Sequence, residues 1–402
     1  WDSAWEDLEK NGQYADAFMM RTAIQQFPVQ GVFLQKLFRY NYFFNFVNNL
    51  INMKKVFFEK FNTDYEQFEI VAFIVFLSLS TATNIKISAS KKTRLLSKAF
   101  ENKTVFSSLC IEKEAYVCEM KKLYKSDIIQ LFYGLKAHYW WPFIEGEDCI
   151  YIPSPYLIIN AVTDSMLNRL TLNNEKLRND IGKEVLENYL YDIYRQVDTV
   201  TWISQEIDYK IGSNKYKTSD VLVAENYYCI FFDTKEMVPS LKIRSLDAKE
   251  IEDDTEIYAK AIIQIYQQIK NYLSGYYKLD KKYEKDKLFG VVVMLESIAL
   301  SREKMYIRAF ELYEQTNGKL TIQEQNYIQS HIKLVSLVQI ESLVLENNSF
   351  LPSLLNQEKN PLSWNDLNFE SSYEHNGLIP IYEEYVLSIK GEFKDIVKSL
   401  SY

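Results

Sequence analysis

The spacing of apolar and polar residues changes period along the chain. From residue 1 to about 135, apolar residues recur at three- and four-residue intervals with few breakers, which predicts a succession of helices. The most apolar run, "IVAFIVFLSLSTAT" at 70–83, predicts a buried helix and is too short to span a bilayer. The segment "YWWPFIEGEDCIYIPSPYLI", 139–158, brings Pro142, Pro153, Pro155 and Gly146 and reads as a linker or small hairpin. Helical spacing returns over about 163–179 and 182–197. It then gives way to alternation in "TWISQEIDYKI", a turn at "GSNK", and two further strands in "KTSDVLVA" and "YYCIFFDTKE". A long helix follows over about 248–274, then a continuous buried strand in "KLFGVVVMLE", 287–296. A helix over about 302–315 and a short strand within "HIKLVSLVQI", 331–340, complete the pattern.

This order predicts an α+β, or mixed α/β, protein. A largely helical N-terminal half (1–160) is expected to precede a mixed central sheet flanked by helices (161–345), with a C-terminal helical extension (346–402). At 402 residues there is room for such a division, and a 47% apolar content excludes wholesale disorder.

Charge and cysteine content narrow the chemistry. The net charge of −8 argues against a uniformly basic coat, but residues 81–125 carry ten basic side chains against four acidic ones. Among the ten are Lys91, Lys92, Arg94, Lys121 and Lys122; the segment reads as a solvated helical face or a phosphate-binding surface. Cys110, Cys118, Cys149 and Cys229 form no CxxC pair, and His138, His331 and His375 are scattered. That spacing disfavours structural zinc and histidine-based nucleophilic catalysis and fits a reducing cytoplasm. Nothing at the start reads as a signal peptide.

The unusual feature is acid at strand ends. Asp220 precedes Val221-Leu222-Val223, and Asp233 follows an apolar run with Lys235 two residues on. Side chains alternate along a strand, so Asp233 and Lys235 share a face and Thr234 takes the other. With the strands in hairpin succession, Asp220 is expected beside Asp233. Two adjacent carboxylates repel unless a cation lies between them, and hard oxygen ligands suit Mg²⁺ or Mn²⁺. The Thr234 carbonyl would be a further oxygen ligand, and Lys235 would orient or deprotonate an attacking water. In "GKEVLENYLYDIY", Glu187 borders the apolar stripe of its helix and is expected to be a third acid of the site, with Glu184 the alternative. On the helix after the strands, Ile257, Ala261 and Ile265 are read as the inward side, which puts Gln264 and Gln268 on its margin. Gln264 is taken as the candidate that touches water or phosphate.

The set Glu187, Ser219-Asp220, Asp233-Thr234-Lys235 and a Gln-bearing helix resembles the PD-(D/E)xK nuclease superfamily, over about residues 180–340. Ser219 stands where the family name has proline. The resemblance implies a mixed central sheet, a helix that carries the first acid, and metal-dependent phosphodiester hydrolysis. A Mg²⁺-dependent endonuclease acting on DNA rather than RNA is thus the expected function. The context implied by analogy is a bacterial antiphage or restriction-type system, with a partner protein and a homo-oligomer as further expectations. The competing reading is a non-catalytic scaffold or nucleic-acid-binding protein that keeps a nuclease-like fold; an RNA-directed nuclease is the third.

Overall fold

The computed structural model describes residues 33–79, 85–88, 94–124, 137–235, 248–296, 302–355 and 376–399. It is a mixed α+β protein, helical in its N-terminal half, with its largest sheet in the second half. Lys91, Lys92 and Lys125 of the basic segment, and His375, lie outside the described residues.

The chain forms two compact units, one from 25–185 with 380–402 and the other containing 186–379. The boundary at 185/186 differs from the expected division at 160, and the final helix belongs to the first unit rather than standing as an extension. Buried pairings explain both differences. Asp164, 1% exposed, is bonded by Lys36 Nζ at 3.0 Å and by the Tyr139 hydroxyl at 2.8 Å, which ties residues 156–171 into the helical unit. On the final helix, Pro380–Ser399, Tyr382 and Tyr385 pack on Phe38, and Phe393 packs edge-on against Phe73. The Tyr385 hydroxyl also donates to Glu69 at 2.5 Å.

The first unit is built on helices Phe33–Asn45, Met53–Phe61 and Tyr65–Leu79, whose Phe44, Phe57, Phe61, Tyr65 and Phe68 rings interlock. Residues 71–76 are all buried, as the apolar run at 70–83 predicts. No helix among the described residues is long and apolar enough to cross a membrane. The wholly helical expectation for 1–135 needs correction, because β1 (Ile85–Ser88) and β2 (Cys110–Glu112) are strands. They flank the hairpin of β3 (Phe143–Glu145) and β4 (Cys149–Ile152) in the order β1-β4-β3-β2. Three- and four-residue strands are too short to impose a visible alternation on the sequence.

The second unit carries β5 (Val200–Gln205), β6 (Asp208–Ile211), β7 (Asn214–Lys217), β8 (Val221–Glu225), β9 (Tyr228–Lys235), β10 (Leu288–Met294) and β11 (Ile332–Ser336). Five of them form a sheet in the order β11-β10-β9-β8-β5. β5, β8 and β9 run antiparallel to their neighbours, whereas β9, β10 and β11 are parallel. Parallel strands need crossovers. Helix Ala248–Leu273 supplies the first, and helices Arg302–Asn317 and Ile322–His331 the second. Every residue of β10 is buried, as a continuous apolar run requires, and so is every residue of β11, Lys333 and Ser336 included. β8 and β9 are joined by Asn226-Tyr227, with Asn226 in the left-handed region (φ 53°) that asparagine tolerates. β6 and β7 pair only with each other, as a separate two-stranded ribbon between β5 and β8. The single strand expected in "TWISQEIDYKI" is instead β5 and β6, which lie in different sheets, and Asn214-Lys215 of the expected turn "GSNK" open β7.

Helix Ala248–Leu273 lies on the sheet with Tyr258, Ile262, Ile265, Ile269 and Tyr272 buried. Ile257 is 38% exposed, so it does not belong to the inward stripe.

Candidate active site

The site begins with register. Val221 of β8 is paired with Phe232 of β9, so the residues just beyond, Asp220 and Asp233, come side by side where the antiparallel ladder ends. On its other edge Asp233 is paired with Val292 of β10. The carboxylates therefore sit beside the strand where the sheet changes from antiparallel to parallel.

Asp233 is 1% exposed, and Lys235 Nζ lies 2.5 Å from its Oδ2. Asp220 Oδ2 accepts from the Thr234 amide at 2.6 Å and from the Thr234 hydroxyl at 2.9 Å. Thr234 thus does more than face away from its neighbours: it clamps Asp220 by two bonds. A strand residue directs its N–H and C=O to the same edge, so the Thr234 carbonyl faces the edge on which Asp220 sits.

The electrostatics follow from burial. Desolvation first, and the charge of Asp233 second, push the Asp220 carboxyl up to about 7 despite its bonds from Thr234 and the nearby Lys235. Burial likewise raises Asp233, against the pull of Lys235. Burial works to lower Lys235, but Asp233, Asp220 and Glu187 outweigh it and hold the ammonium above its usual range.

Glu187 opens helix Glu187–Tyr194 and is the helical acid that acts on Lys235. Glu184 instead accepts a hydrogen bond from Asn48 at 2.9 Å. Among the described residues no three His, Cys, Asp or Glu side chains converge as a metal-binding group, and Glu187 acts electrostatically on Lys235. Asp220 and Asp233 remain as the carboxylates that would hold a cation, with the Thr234 carbonyl on the same edge. Mg²⁺ is commonly held by one or two carboxylates and completes its shell with water, which this pair fits. Two buried acids with raised proton affinity are a site where a divalent cation removes a standing repulsion.

Gln264 requires correction. It is exposed, on the outer face with Ile257 and Lys260. Gln268, one turn on, is 4% exposed and accepts from the Ser219 hydroxyl at 2.5 Å, directly beside Asp220. Its position was readable: Gln268 stands three residues after Ile265 and four before Tyr272, within the buried stripe. Of the residues read as the inward side, Ala261 and Ile265 are buried as expected and Ile257 is not, and Gln264, seven residues after Ile257, shares its exposed side. No sequence signal marks the Ser219–Gln268 bond itself.

The raised Asp220 carboxyl makes a testable statement about stability. Its folded pKa lies above its unfolded one, so the folded chain binds more protons between about pH 4 and 7 and loses stability as pH rises through that range. The penalty is complete above pH 7 and absent below pH 4. Asp220→Asn should therefore raise the melting temperature at pH 8 in EDTA, yet change little below pH 4. Equal effects at both pH values would show that Asp220 is not strained by its charge.

Comparison of the chain with protein-family models, curated proteins and solved structures gave no match.

Proposed function

We propose that the chain is a divalent-cation-dependent nuclease of the PD-(D/E)xK type that hydrolyses phosphodiester bonds in DNA. The observation that carries this reading is the juxtaposition of Asp220, Asp233 and Lys235 at one end of the mixed sheet, with both carboxyls raised. The element order supports it as well: an acid-bearing helix, antiparallel strands, a crossover helix and a parallel strand.

In this reading Asp220 and Asp233, with the Thr234 carbonyl, hold Mg²⁺ or Mn²⁺. A cation held there would supply a water of lowered pKa and offset charge on the scissile phosphate. Lys235, paired with Asp233 here, would be free to reach that water or the phosphate once Asp233 was otherwise neutralised. Thr234 fixes the rotamer of Asp220, Gln268 fixes Ser219 beside it, and Asp233, with Asp220 and Glu187, keeps Lys235 protonated.

The deciding experiment is incubation of the full chain with plasmid, linear duplex and single-stranded DNA, and with RNA, in Mg²⁺, Mn²⁺ or EDTA. Cleavage is expected with either metal and not in EDTA. Absence of cleavage of every substrate would leave the scaffold reading, in which the Lys235–Asp233 pair is a fixed structural contact.

A further inference from the structure

The β6–β7 ribbon is unlike the rest of the second unit. It belongs to no larger sheet, and an isolated two-stranded ribbon is marginal unless one face is docked. Its inner face is docked: Tyr209 is 8% exposed, accepts a hydrogen bond from Asn271 at 2.8 Å and packs against Tyr277 with ring centres 4.7 Å apart. Tyr216, directly opposite Tyr209, stacks on it.

Alternation sends Asp208, Lys210, Lys215 and Lys217 to the other, outer face. The register puts Asp208 opposite Lys217, a favourable cross-strand pair, but Lys210 directly opposite Lys215. Like charges directly opposite each other on a two-stranded ribbon repel, with Cβ atoms only about 5 Å apart. Both lysines are exposed, at the tip end beside the Gly212-Ser213 turn. At the base of the same face, Lys217 is paired with Glu206 and lies within the electrostatic reach of Glu187, which itself acts on Lys235. The outer face thus carries an opposed lysine pair at its tip and a neutralised lysine at its base.

We infer that the outer face of the β6–β7 ribbon is a phosphate clamp, in which Lys210 and Lys215 together grip the backbone of duplex DNA. A phosphate between the two ammonium groups turns their repulsion into a shared attraction, and releases counterions as it does so. A two-stranded ribbon is also an element that B-DNA admits into its major groove. This inference rests on the proposed nuclease reading for its substrate.

The test uses the full-length chain, wild type and K210Q/K215Q, with a fluorescent blunt duplex DNA titrated in EDTA at several salt concentrations. The double variant is expected to bind more weakly, and the slope of log affinity against log salt to flatten by about 2, one contact per lysine. K215Q alone should flatten it by about 1, and K210R/K215R should keep the wild-type slope. Melting temperature should hold or rise in K210Q/K215Q, because a repulsive pair has been removed. In Mg²⁺ the double variant should show a raised KM with little change in kcat. An unchanged slope and affinity would overturn the clamp, as would wild-type binding to single strands but not to duplex. The two readings separate cleanly. Ribbon-dependent binding without cleavage keeps the clamp and removes the nuclease; cleavage with K210Q/K215Q equal to wild type does the reverse.

Discussion

Asp233→Ala and Lys235→Ala are each expected to reduce cleavage to background, a loss on the order of 10³-fold or more. They should do so for different reasons, and metal binding separates them. Asp233 is a proposed ligand, so its loss should weaken Mn²⁺ binding measured by calorimetry. Lys235 is not a ligand, so Lys235→Ala should leave Mn²⁺ affinity nearly intact or raise it, since a competing ammonium leaves Asp233 Oδ2. The stability effects should also differ. Lys235→Ala strips the buried Asp233 carboxyl of its ion partner, which lowers the melting temperature in EDTA, and a divalent cation should restore it. Both folds should survive, because Val221, Val223, Ile230 and Phe232 are fully buried and supply the packing. Wild-type cleavage by Asp233→Ala would remove the basis for calling the protein a nuclease.

Gly290→Ala is expected to destabilise the second unit by about 1–3 kcal/mol. Gly290 sits in the middle of β10, paired with Phe231 of β9 and Ile332 of β11. A Cβ there would lie 2.4 Å from Cγ2 of Ile265 and 3.2 Å from Cγ1 of Ile332. The closest atom belongs to a stiff β-branched side chain on helix Ala248–Leu273, so the helix itself must move outward. The same helix carries Gln268 to Ser219. Chemical denaturation should show a lower midpoint for Gly290→Ala, and Ile265→Ala in the same chain should recover part of the loss, since the added methyl fills the space that the truncation opens. Strictly additive effects in that double-mutant cycle would mean that the two residues do not press on each other.

What the sequence revealed of this fold depended on the length of each signal. β9 and β10 are long enough for their apolar runs to be unmistakable, and the crossover helix shows its period over 26 residues. The pair Asp220 and Asp233 was legible because a carboxylate at the end of a buried strand contradicts its surroundings. Glu187 reaches Lys235 electrostatically, whereas Glu184, read as facing solvent, is partly buried and accepts from Asn48. Gln264 against Gln268 failed because Ile257 is apolar yet exposed, so counting it with the buried Ala261 and Ile265 widened the stripe towards Gln264. β1 and β2 were hidden by brevity. The unit boundary was hidden because Asp164 with Lys36, and Tyr385 with Glu69, join residues far apart in sequence through polar bonds that periodicity does not report. Thr234 was read for its carbonyl and its strand face, so the grip of its amide and hydroxyl on Asp220 across the strand end was missed.

The Asn226-Tyr227 connection also bears on the order of folding. It makes β8 and β9 a local hairpin, so Asp220 and Asp233 meet through a short loop, before the crossovers bring in β10 and β11. In the bare hairpin both acids are in water, and their repulsion is screened. It becomes severe only when β10 and the long helix close over Asp233 and exclude that water. The electrostatic obstacle therefore belongs to the last stage of folding rather than to its nucleus. A divalent cation at this position should slow unfolding far more than it speeds folding, leaving the loaded protein long-lived even where its gain in equilibrium stability is modest.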